Sequence, residues 1–281
     1  MTPGSDLGRY LVTLILDLEC NLLAYEEKKG RGSLHRFRVT SKHTRSLLRF
    51  LATLKGGRAA DNALEDLRRI FQLAGAVRES QLLLQWMHLH RKPGLIRHFG
   101  TVDLTRKQTE ALLLNIPGFL VKLHARSDKL VALADKATPE ALKDYRDGIV
   151  AVFLDKLEHG ILPGRWHGAR KRIKTLQHMD AWPGMPGVGD KRFAAWARHL
   201  NAFQTVVGAW HDTGDMLAWF GREAAHLRGN GVLEKECASS MILLEERYAE
   251  QFMAVKRELG RLERYVHDAG KKVSGKASKK K

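Results

Sequence analysis

An all-α protein built from a duplicated helical bundle is what this sequence predicts, on three observations. Apolar residues recur at helical spacing along nearly the whole chain, and nowhere does the period-two alternation of a strand persist. A strongly basic helix with no acidic residue occurs twice, in Ser33–Leu54 and again in Arg165–Met179. The two halves also correspond in register. His35, Arg38 and Lys42 return as His167, Arg170 and Lys174 at an offset of 132, and GAVRESQLLLQWM (Gly75–Met87) returns as GAWHDTGDMLAWF (Gly208–Phe220) at an offset of 133. A repeat of about 130 residues is a bundle-sized unit, since solenoid repeats run at roughly 20 to 50 residues.

The elements follow in order. Leu7, Tyr10, Leu11, Leu14, Leu18, Leu22 and Tyr25 predict a first helix over 6–27. Gly30 and Gly32 interrupt it, and Ser33 is the expected N-cap of the basic helix that runs to Leu54. After Gly56 and Gly57 the periodicity resumes over 62–89 and is expected to end at Pro93-Gly94. Two further segments, 104–114 and 118–133, are separated by Ile116-Pro117-Gly118. Thr138 followed by Pro139 is a strong helix start, an N-cap with proline at the first helical position, and opens a helix to about Leu157. There the second half begins. The reading gives a first repeat over 1–135, a second over 136–268 and a Lys-rich, disordered tail over 269–281, whose six lysines and small residues cannot pack a core.

Composition limits the function. Lys and Arg exceed Asp and Glu by 17, a charge that suits a polyanion: nucleic acid, inorganic polyphosphate, an acidic protein or anionic lipid. The 44% hydrophobic content is ample for a core. Cys20 and Cys237 share no motif spacing, which argues for core thiols in a reducing interior and against a zinc site or disulfide framework. The apolar run Leu11–Leu18 is short and interrupted by Asp17, so no membrane insertion and a cytoplasmic location are expected.

On the first basic helix, His35, Arg38, Lys42, Arg45 and Arg49 fall within an arc of about 80°, opposite Phe37, Leu47, Leu48, Leu51 and Leu54. Solvated helix faces ordinarily mix signs to limit self-repulsion. This face does not mix them, and the second basic helix repeats the device with His167, Arg170, Lys171, Lys174 and His178. Two such bundles packed together would bring these helices to one groove. His35, His43, His167 and His178 are expected to add charge under mildly acidic conditions. Lys122, Arg126 and Lys256 are further candidates for the same groove. Glu79 and Asp212 read as interhelical partners of the basic residues, and Trp86 and Trp219 as core anchors.

These residues resemble a known family, the conserved histidine α-helical domain, or CHAD. Its hallmark is an H-x-x-R-x-x-x-K-x-x-R helix in each of two repeats, with a later helix opening on an L-G-x-x-R-D-like signature. The first hallmark is complete in His35, Arg38, Lys42 and Arg45. The second carries Gln177 in place of its last Arg, and the partner signatures are Gly75-Arg78-Glu79 and Gly208-His211-Asp212. The resemblance implies two four-helix bundles with pseudo-twofold symmetry, a basic central channel, and binding of inorganic polyphosphate without catalysis. Nucleic acid and components of polyphosphate granules are further partner classes.

No catalytic, cofactor or metal site is expected. The sequence has no G-x-x-x-x-G-K-[ST] loop, H-E-x-x-H or C-x-x-C. The E-x-E-x-K strand of the triphosphate tunnel domain, often joined to CHAD-like domains, is also missing. Met185–Trp196 resembles the loop of a helix-hairpin-helix module, the one feature favouring nucleic acid specifically. Within a bundle protein a Pro-Gly-rich connector between helices is the better explanation of it.

Overall fold

The structure is a computed structural model and describes residues 4–101, 105–185 and 191–277. Its helices are α1 (Asp6–Lys28), α2 (Arg31–Thr53), α3 (Arg58–Leu89), α4 (Pro93–Thr101), α5 (Arg106–Asp135), α6 (Pro139–Glu158), α7 (Trp166–Met179), α8 (Lys191–His226) and α9 (Gly231–Ala277). A single 3₁₀ turn, Pro163–Arg165, precedes α7, and no strand occurs among the described residues. The chain is all-α, as its periodicity predicts.

Two compact units are formed, residues 1–146 with 178–186, and 147–177 with 187–281. In the first unit α1, α2, α3 and α5 make a four-helix bundle, each packing on two neighbours: α1 on α2 and α5, α3 on α2 and α5. Leu11, Leu18 and Leu22 of α1, Leu34, Phe37 and Leu51 of α2, Leu67 and Ile70 of α3, and Leu112 and Ile116 of α5 are buried. Asp135, at the end of α5, accepts from the Gly4 and Ser5 amides and the Ser5 hydroxyl. The Ser5 hydroxyl oxygen itself accepts from the Gly8 amide as the N-cap of α1. In the second unit Phe153 and Leu157, Trp166 and Ile173, Phe203 and Val207, and Val255 and Leu262 bring α6, α7, α8 and α9 to one core.

The unit boundary differs from the expected division at residue 135. Phe50 of α2 packs against Tyr145 at 5.3 Å and Trp182 at 5.8 Å between ring centroids, which holds the start of α6 and the segment after α7 in the first unit. Other expectations need correction. α2 starts two residues before Ser33. Its N-cap is Gly30, and the Ser33 hydroxyl donates to the Gly30 carbonyl at 2.9 Å. Pro117 does not divide α5. A helical proline costs about 3 kcal/mol, and burial of Leu112, Ile116, Phe119 and Leu123 on the same helix exceeds this at about 1.5–3 kcal/mol per side chain. Pro93 opens α4 as well as ending the preceding stretch, because proline is suited to a first helical turn. α9 continues to Ala277, inside the segment 269–281 expected to be disordered, where no proline interrupts it. Cys20 is exposed on α1, whereas Cys237 is buried with its thiol directed at the Phe220 carbonyl. Trp86 is a core residue as expected, but Trp219 is only half-buried. The helix-hairpin-helix resemblance lies largely outside the described residues, which resume at the start of α8.

Candidate functional site

α2 is basic along one face because its apolar residues occupy the other. Phe37, Leu47, Leu48 and Leu51 are fully buried while His35 and Arg49 are exposed. Arg38 is held between α2 and α3. Its Nη1 donates to the Phe71 carbonyl at 3.4 Å, and its guanidinium lies 4.5 Å from the centroid of the Phe71 ring. Arg45 lies 4.9 Å from the same ring centroid. One turn beyond Phe71 is Gly75, where a Cβ atom would stand 2.9 Å from Arg38 Nη1. The glycine of the second signature therefore has a local explanation: it leaves room for the arginine of the first.

The same construction appears within the second unit. Arg170 of α7 donates through Nε to the Gln204 carbonyl on α8 at 3.2 Å. A Cβ at Gly208, one turn further along, would lie 2.9 Å from Arg170 Nη2 and 3.1 Å from Nε. Phe71 and Gln204 stand 133 residues apart, like Gly75 and Gly208. The sequence repeat is thus also a repeat of contacts inside each bundle.

The two faces differ in charge. Arg45 sits partly buried, and burial together with the positive charges of Arg49, Arg68 and Arg38 lowers its guanidinium pKa. Arg68, an exposed residue of α3 that pairs with Glu65 at 3.8 Å, was not singled out by the sequence. At the repeat offsets, Arg45 corresponds to Gln177 and Arg68 to Asn201. In the second unit these two amides hydrogen-bond to each other, Gln177 Nε2 donating to Asn201 Oδ1. A repelling pair of cations in one bundle is replaced by a hydrogen-bonded pair of neutral amides in the other.

The remaining candidates separate by environment. Lys42 lies half-buried on α2, between Arg38 and Arg45 in sequence, and Lys171 is exposed on α7. Lys174 has its pKa lowered by burial and by Arg170, with Asp212 acting in the opposite sense. The His167 ring stacks on His211 of α8 at 4.1 Å. Burial, then His211, Lys171 and Arg170, push its pKa down to about 4. His167 therefore stays neutral under mildly acidic conditions, against the expectation that it would add charge there. His178 belongs to the first unit, where its ring lies 4.1 Å from that of His43 and its Nδ1 is 2.8 Å from the Ser46 hydroxyl. That hydroxyl also donates to the Lys42 carbonyl at 3.0 Å, so His178 Nδ1 is the donor in the pair. Lys122 and Arg126 both pair with Asp66 of α3, Lys122 at 3.5 Å, and so bridge α3 and α5. Lys256 lies 4.8 Å from the Phe252 ring centroid on its own helix.

Glu79 and Asp212 are both exposed. His211, Asp212 and Asp215 bring one ligand atom each within 4.8 Å of one another, and His211 Nδ1 is 3.0 Å from Asp215 Oδ2. The cations Arg170 and Lys174 beside this group oppose the gathering of another positive charge.

The CHAD domain family matches residues 15–221 of the chain. Among solved structures, the chain resembles PptA from Streptomyces chartreusis, with a TM-score of 0.54 and 17% sequence identity over 92% of this chain and 99% of that one. No curated protein matches. Among the described residues, no helix is long and apolar enough to cross a membrane.

Proposed function

Because the chain belongs to the CHAD family, we propose that it binds inorganic polyphosphate, without catalysis, on the basic faces of α2 and α7. The observation that carries this reading is the environment of Arg45. Its guanidinium is partly desolvated, and the charged groups acting on it, Arg49, Arg68 and Arg38, are all positive. Such a cluster is relieved by a dense anion, and Arg presents planar forks that match phosphate oxygens. Polyphosphate has no bases to stack or read, so a face made of Arg and Lys is sufficient for it. The contribution of α7 is weaker, because Gln177 and Asn201 satisfy each other where the first bundle has two arginines.

Arg49 and Arg68 are exposed, so replacing both with Glu leaves the core intact. The double variant Arg49→Glu/Arg68→Glu is expected to lose at least tenfold in affinity for long-chain polyphosphate, with an unchanged helical circular dichroism spectrum. A competition with duplex DNA at about 0.15 M salt separates the two polyanions, since screening there already acts over roughly 8 Å. Displacement by equal phosphate concentrations of DNA would favour a nucleic-acid binder, and unchanged affinity of the double variant would place the site elsewhere.

A further inference from the structure

At one end of the first bundle, α1 finishes, α2 begins and α5 begins around a cavity of about 550 Å³. It lies within the usual range of small-molecule sites, roughly 300–1,000 Å³. Lys29, Arg31 and Arg106 line it against a single carboxylate, Glu110, which already accepts from Arg106 Nε at 2.9 Å. Neither Gly30, the N-cap of α2, nor Thr105, the N-cap of α5, makes a side-chain cap hydrogen bond. Two helix starts therefore direct amide groups to this end of the bundle. α1 ends here as well, and Lys28 and Lys29 offset the partial negative charge of its last carbonyls.

The second, independent observation is Gln81 of α3. It lines the cavity, is 9% exposed, and its Oε1 has no hydrogen-bond donor. Buried amide oxygens are ordinarily satisfied, and a small rotation of the side chain would present this one to a ligand hydroxyl or amino group in the cavity. The Tyr25 hydroxyl, 3.3 Å from Thr109 Oγ1, adds another polar group on the wall, while Leu84 and Leu113 supply an apolar part. Cationic, polar and apolar groups thus share one small space.

We propose that this cavity binds a small organic phosphate, a phosphomonoester whose phosphate is held by Arg31, Arg106 and Lys29 and whose organic part lies against Gln81, Leu84 and Leu113. The cavity adjoins the N-terminal end of the basic face of α2, which Arg31 continues by one turn before His35, but its binding of a small phosphate does not depend on the polyphosphate reading.

Isothermal titration of the full chain with inorganic phosphate, ribose 5-phosphate and adenosine monophosphate tests it. At least one of the two organic phosphates should bind ten times more tightly than inorganic phosphate. Arg106→Glu, on α5, should weaken that binding at least tenfold and change affinity for long-chain polyphosphate less than threefold. Gln81→Leu should weaken it several-fold without lowering the melting temperature, because the unsatisfied oxygen is removed together with its ligand contact. The proposal is overturned if neither organic phosphate outbinds inorganic phosphate, if Arg106→Glu leaves the binding unchanged, or if that variant loses polyphosphate in parallel.

Discussion

Adding one methyl group at Gly208 and at Gly75 should have opposite consequences. In a helix interior, Gly→Ala ordinarily stabilises by about 1 kcal/mol. At Gly208 the new Cβ would meet three atoms of Arg170, Nη2 at 2.9 Å, Nε at 3.1 Å and Cζ at 3.3 Å. The whole planar group has to lift, and the Nε bond to the Gln204 carbonyl is lost with it. A hydrogen bond from an ionised donor contributes about 1.5–3 kcal/mol, so Gly208→Ala is expected to destabilise by about 0.5–2 kcal/mol. At Gly75 only Arg38 Nη1 is close, at 2.9 Å, and Cζ is 3.9 Å away. That nitrogen ends a flexible side chain, and its bond to the Phe71 carbonyl is long at 3.4 Å. Gly75→Ala should therefore be neutral or stabilising by up to about 0.5 kcal/mol, once the helix gain of about 1 kcal/mol is set against the displaced tip. Urea unfolding of both variants, followed by circular dichroism and compared at equal m-value, measures the difference. If Gly208→Ala gains the full propensity increment, Arg170 is not held against α8 in solution and the account of the glycine is wrong.

Three further outcomes are expected. His167, with a pKa of about 4 in the folded chain against an ordinary 6.5, contributes stability that is complete above pH 6.5 and lost as pH falls toward 4. For a half-exposed group the effect is on the order of 1 kcal/mol, and thermal melts between pH 4 and 7 should show His167→Gln with a flatter profile than the parent. Polyphosphate affinity should fall steeply and linearly on a log–log plot against salt, by analogy with counterion release, and EDTA should leave it unchanged. Loss of binding on chelation would instead assign a metal to His211, Asp212 and Asp215. Asp66→Asn should destabilise by about 1–2 kcal/mol in urea melts, because it leaves the partly buried Arg126 without its carboxylate, while polyphosphate affinity stays within a factor of two.

The helices were legible wherever local pattern and packing agree. Thr138-Pro139 opens α6 as read, with Thr138 Oγ1 accepting from the Ala141 amide at 3.2 Å. The misreadings at Ser33 and Pro117 share a cause, since in each the local signal was real but a non-local term was larger. Ser33 is buried on the bundle side of α2, and Pro117 is outweighed by its buried neighbours. At the site, spacing identified the cationic stripes but not what each cation does. Arg38 and Arg170 spend part of their hydrogen-bonding capacity on the neighbouring helix, Lys122 and Arg126 on Asp66, and none of these partners is within one helical turn. Arg68 was invisible for the same reason, belonging to the stripe through α3 rather than through any motif of α2. The depressed pKa of His167 depends first on burial and then on His211, far along the chain, and could not be read from a helix face.

The arginines laid against glycine also differ from their exposed neighbours in entropy. An arginine side chain that becomes ordered gives up as much as about 1.5–2 kcal/mol of rotamer freedom. Arg170 loses much of this during folding, fixed by a carbonyl on the next helix, whereas Arg49 remains exposed and loses it only when it grips something. A phosphate reaching a prefixed guanidinium meets a smaller ordering penalty than one captured by a free side chain. A phosphate chain lying on α7 would then rest longest where Arg170 is already fixed.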